Sequence, residues 1–93
     1  MEITPFGLKP LGYQQLAVSN TAVAMTVPAG AVRAVCMVEG QPIRYRLDGT
    51  DPTDAIGFQV KADVSFELVG SAVLKAFKAI RTGTDAKISI HYF

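Results

Sequence analysis

Residues 41–57, QPIRYRLDGTDPTDAIG, join a strictly alternating stretch to a corner that cannot continue it. Over residues 43–47, Ile43, Tyr45 and Leu47 fall on one side of an extended chain and Arg44 and Arg46 on the other, the period of two of a half-buried strand. The run Asp48-Gly49-Thr50-Asp51-Pro52-Thr53-Asp54 closes it. Asp and Thr side chains hydrogen-bond their own backbone, Gly reaches positive φ, and Pro cannot donate to a ladder. The stretch therefore predicts a strand and a tight corner, with Tyr45 inward. Arg44 and Arg46 form its outward side, suited to bidentate pairing with a carboxylate on a neighbouring protein.

The same reading extends along the chain. Pro5, Gly7, Pro10 and Gly12 break regular structure over residues 1–12 and predict an extended N-terminal arm, with Ile3, Phe6 and Leu8 spaced along it as candidate partner contacts. Residues 13–19 read as a short strand. Residues 22–27 place Val23, Met25 and Val27 on one face and end at Pro28-Ala29-Gly30. Residues 31–39, AVRAVCMVE, are apolar on both faces apart from Arg33 and Glu39, as expected of a central strand covered on each side by a sheet, a loop or another subunit. The segment 55–58 is expected to re-enter the core, and Val64, Phe66 and Leu68 alternate inward after a tight connection at residues 61–63.

Residues 71–82, SAVLKAFKAIRT, fit a helix with Ser71 as its N-cap, or a short turn leading into a strand. The hairpin signal at Gly83-Thr84-Asp85, followed by alternating AKISIHYF, favours one helical turn near residues 71–75 and a strand over 76–82. The sum is an all-β chain. It predicts a single antiparallel β-sandwich or jelly-roll-like barrel of seven or eight short strands over residues 13–93, with at most one short helical turn.

Chemistry is sparse. One Cys and one His cannot assemble a zinc site of the usual spacing, and Cys36 sits in the apolar run AVCMV as a small hydrophobe. A single cysteine forms no internal disulfide. His91 falls on the polar face of the last strand. The aspartates at 48, 51 and 54 do not match a calcium loop and have no closing glutamate, so no metal or other cofactor is expected. The glycines form no phosphate loop ahead of a helix. Arg33, Arg44 and Arg46 could make a basic patch, but alternation turns Tyr45 away from Arg44 and Arg46, and a net charge of +1 supplies no general pull toward nucleic acid or acidic lipid. No apolar run reaches the length of a membrane span. MEITPFGLKP has an early acid and two prolines where a signal peptide has a basic start and an apolar core. Hydrophobic residues are 49% of the chain and charged ones 18%, so less surface is solvated than in an average domain, and contact with a partner is expected.

The segment QPIRYRLDGTDPT, the IGF after it and the terminal FKAIRTGTDAKISIHYF resemble small structural proteins encoded in the genomes of tailed bacteriophages. The resemblance covers residues 31–93 and rests on Arg44, Tyr45, Arg46, Asp48, Gly49, Thr50, Pro52, Arg81, Gly83 and Tyr92. It implies a non-enzymatic virion component, made in the host cytoplasm and seated on the capsid surface. First comes a decoration or cement protein, or a head-spike base, that contacts the major capsid protein and copies of itself as a homotrimer or another small oligomer. A tail or head-to-tail connector is the alternative, and a carbohydrate-binding module a third reading. The resemblance carries no activity, nucleic-acid contact or membrane contact with it.

Overall fold

A computed structural model describes residues 9–93 and places them in two four-stranded sheets packed face to face. The elements are β1 (Gly12–Val18), β2 (Val23–Ala24), β3 (Arg33–Glu39), β4 (Ile43–Arg46), β5 (Phe58–Val60), β6 (Ser65–Val69), α1 (Ser71–Ala76), β7 (Lys78–Arg81) and β8 (Ala86–Tyr92). The first sheet runs β1-β8-β3-β6 and the second β2-β7-β4-β5, with every pairing antiparallel. This is the all-β sandwich that the alternation predicts.

Alternation supplies the core directly. Leu16 and Val18 of β1, Ala34, Cys36 and Val38 of β3, and Ile88, Ile90 and Tyr92 of β8 face the second sheet. Ile43, Phe77 and Ala79 meet them and are fully buried. Each large apolar side chain removed from water in this way contributes about 1.5–3 kcal/mol. At the rim, the Tyr92 hydroxyl donates to Gln14 Oε1 at 2.6 Å, and the Thr26 amide donates to the same oxygen at 3.0 Å, so Gln14 ties β2's trailing segment to the first sheet. Met25 and the half-buried Val23 and Val27 join the core as their spacing predicts, although only Val23–Ala24 pairs as a strand.

The ambiguous stretch resolves into both of its halves. A six-residue helix is too short to persist alone. α1 is held by Leu74, which is fully buried, and by the Leu74 amide donating to the Gly70 carbonyl at 3.1 Å. Its cap is Gly70, at φ 110° and with no side-chain hydrogen bond, where Ser71 was the expected N-cap. At the start of the chain, the Leu11 amide donates to the Tyr92 carbonyl and Gly12 opens β1, so the last residues of the predicted arm belong to the first sheet. Ile3, Phe6 and Leu8 lie outside the described residues.

Three inward assignments are corrected. Leu47 lies beyond the end of β4 and is 38% exposed, because the chain has already begun to turn. Val64 is 45% exposed: the connection 61–64, with Asp63 at φ 66°, delays the strand until Ser65. Ile56 and Phe58 are 57% and 72% exposed and do not re-enter the core. The two faces of β3 also differ. Ala34, Cys36 and Val38 face the second sheet, whereas Arg33, Val35, Met37 and Glu39 point the other way, Met37 41% exposed but Val35 only 8%.

Candidate functional site

The corner at residues 41–57 folds back over the outward face of the second sheet. β4 lies between β7 and β5, so Ile43 and Tyr45 point to the core, while Arg44 and Arg46 share the outward face with Ile80 and Lys78 of β7. The corner then organises itself locally. Asp48 Oδ1 accepts from the Thr50 amide at 3.3 Å, and Thr53 Oγ1 accepts from the amides of Ala55 and Ile56 at 3.3 and 2.9 Å. Gly49 sits at φ 81°, open to glycine at no steric cost. Pro52 is buried beneath the loop.

Three cations of the sheet hold this loop in place. Arg44 Nε donates to the Asp54 carbonyl at 3.1 Å and its Nη1 to the Gly57 carbonyl at 2.9 Å. Arg46 grips Asp48 in a two-pronged pair, with Nε on Oδ1 at 3.0 Å and Nη2 on Oδ2. Lys78 Nζ meets Asp51 Oδ1 at 2.9 Å. The hydrogen bond from Arg46, helped by the Thr50 amide, keeps the Asp48 carboxyl below the ordinary carboxylate range. Arg44 and Arg46 are thus outward, as alternation predicts, with guanidinium donors engaged by their own loop. Arg33 lies on the opposite outer face, paired with Glu67 at 2.6 Å, so the three arginines form no common patch.

The loop presents an apolar groove of about 510 Å³, lined by Tyr45, Arg46, Leu47, Asp48, Gly57 and Phe58. Tyr45 forms its floor. Its ring stacks on Phe66 and Phe77 with centroids 5.3 Å away in each case, and meets the edge of Phe58 at 5.7 Å. Burial raises the Tyr45 phenol above its ordinary pKa, with Cys36 a smaller contributor. Leu47, Ile56 and Phe58 stand exposed at this end of the sandwich. Leu47 and Phe58, grouped around the cleft over Tyr45, form a surface with the chemistry to receive an apolar group. The sequence sends Phe58 into the core and not to this cleft, because β5 has only three residues, too few for alternation to assign its faces. Gly-Phe after a polar corner was the available signal.

The remaining candidates are placed as follows. Cys36 is 1% exposed, and burial pushes its thiol up to about 12, so it stays protonated near neutrality. His91 is exposed on the outer face of the first sheet, with its ring 5.0 Å from that of Tyr13. Among the described residues no group of three His, Cys, Asp or Glu side chains is gathered to hold a metal ion, and Asp48 and Asp51 each have a cationic partner. No described helix is long and apolar enough to cross a membrane. No family model, curated protein or solved structure matches this chain.

Proposed function

We propose that this chain is a non-enzymatic assembly protein of a tailed-phage virion, a decoration protein that stabilises the head by binding between major capsid subunits. The observation that carries the reading is the groove at Tyr45, Leu47 and Phe58, an apolar cleft on a loop that Arg44, Arg46 and Lys78 hold to the sheet. A held loop loses little conformational freedom on binding, so the burial of Leu47, Ile56 and Phe58 against a partner goes largely into affinity. In this reading Arg44 and Arg46 act on the partner through the loop they position, and Ile3, Phe6 and Leu8 of the arm supply a second apolar contact. A protein that binds the assembled shell stabilises it by mass action.

The test is the copy number of the chain in purified particles, measured by quantitative mass spectrometry, together with cryo-EM of the head. Hundreds of copies on the head surface are expected. A handful to a few dozen copies at a vertex or tail would replace decoration with a connector, and absence from particles would overturn the reading. A Phe58→Ala variant is expected to lose occupancy on the particle while keeping its fold.

A further inference from the structure

The two outer faces of the sandwich are treated differently by the chain. The 47–57 loop lies over the second sheet and engages its cations. Among the described residues the first sheet has no such cover. In an antiparallel sheet facing water the outward positions are ordinarily polar. Here the middle of the outward face carries Met37 on β3 beside Val35, which is only 8% exposed, with Tyr13 of β1 one strand further out, beyond His91 of β8, and Val69 of β6 at the rim. Met37, Tyr13 and Val69 are 41%, 56% and 64% exposed. Charges occupy the ends of β3, Arg33 at one and Glu39 at the other.

We infer that the outward face of the β1-β8-β3-β6 sheet is the contact between two copies of this chain, packed face to face about a twofold axis. The strand register favours this pairing. An axis crossing the strands at the level of Cys36 maps each β3 position onto one equally far on the other side. Val35 then meets Met37 of the second copy, and Arg33 meets Glu39 of the second copy, each contact occurring twice, as an isologous interface requires. The ladder extends the match. Ser89 and His91 of β8 exchange places, Lys87 comes opposite Phe93, Tyr13 opposite Gln15 and Glu67 opposite Ser65, so no like charges are opposed. Two sheets packed this way sit about 10 Å apart with strands nearly aligned.

The local hydrogen bonds fit the same arrangement. The Tyr13 hydroxyl donates to Ser89 Oγ at 3.1 Å, and Ser89 Oγ donates to Glu39 Oε2 at 3.0 Å, so these two hydroxyls are satisfied within the sheet. They can be covered without leaving a donor stranded. Strand and residue spacings make the face roughly 19 Å by 23 Å, which is small beside the ~800 Å² per partner of a standard interface, so the pair is a weak one.

This pairing is independent of where on a particle the chain sits, because it is read on the purified protein. The experiment is light scattering and sedimentation of the chain over about 1 μM to 1 mM, a span chosen for weak association. Wild-type protein is expected to shift from monomer to dimer within that range. Met37→Asp, which places a charge at the centre of the face, is expected to stay monomeric with an unchanged circular dichroism spectrum. Glu39→Arg, which sets two cations against each other, is expected to weaken the pair at least tenfold, and less so at high salt. A wild-type chain that remains monomeric throughout overturns the proposal. An oligomer whose mass is unchanged by Met37→Asp also overturns it, since association then uses another surface.

Discussion

Arg44 and Gly57 are fitted to each other: the Arg44 Nη1 donates to the Gly57 carbonyl at 2.9 Å, and Arg44 Cβ stands 3.2 Å from where a side chain at residue 57 would begin. The same virtual Cβ lies 3.1 Å from the Tyr45 carbonyl and 3.3 Å from Pro52 Cβ, and Gly57 has φ 138°. Backbone, arginine and proline therefore converge on a position that only glycine fills. The loop can close over the second sheet because of that absence.

Gly57→Ala is accordingly expected to destabilise the domain by about 2 kcal/mol or more, from backbone strain and from a contact that rigid atoms cannot relieve. Gly83→Ala, with nothing near its added methyl and no positive φ, is the matched control. Urea midpoints of the two variants decide the matter. Equal midpoints would mean that the loop is not closed in solution.

Arg44→Lys keeps the charge and loses the fork that spans the Asp54 and Gly57 carbonyls. The expected result is faster hydrogen exchange at the amides of Thr53 and Ile56, which bond each other's residues within the loop, with exchange in β3 and β8 unchanged. A loop indifferent to Arg44 would exchange at the wild-type rate.

Phe58 and Phe77 meet the same tyrosine ring from opposite circumstances. Phe77 is fully buried, and Phe77→Ala should cost about 3–5 kcal/mol through lost transfer energy and a cavity. Phe58 is 72% exposed, and Phe58→Ala should change stability by less than about 0.5 kcal/mol. Thermal denaturation of the pair checks this, and it licenses Phe58→Ala as a probe of binding without unfolding.

The buried acids make the fold sensitive to alkali. Burial raises Cys36 from its ordinary 9.0 to about 12 and Tyr92 from 10.0 to about 12. The unfolded chain releases these protons first, so the stability they contribute is complete below pH 9 and declines as pH rises toward 12. Urea midpoints should fall over that window, and Cys36→Ala should flatten the portion that starts near pH 9. In the folded wild type, a thiol reagent at pH 8 should modify Cys36 only at the rate of unfolding.

Much of the fold was legible because period-two alternation is a local property. Ile43 and Tyr45, Phe66 and Leu68, and Ile88, Ile90 and Tyr92 all reach the core from the faces their spacing predicts, and the turn residues between them end the strands where expected. The short helix and the strand after it were decided by neighbouring sequence in the same way. The inward assignments failed at Leu47 and Val64, just outside strand ends, at Ile56, in the loop before β5, and at Phe58, which opens a three-residue strand; at these places the pattern is too short to have a phase.

What the sequence determined alone is most of the strands, the inward faces of the longer ones and the corner at residues 48–54, since each follows from spacing and backbone preference over a few residues. Tertiary structure decided the rest. Arg44, Arg46 and Lys78 are brought to one face only by the pairing of β4 with β7, and the loop they hold lies over that face and not over the other. Which outer face the described residues leave open, and where Leu47 and Phe58 come together around Tyr45, depends on how strands distant in sequence align, and no local pattern contains that alignment.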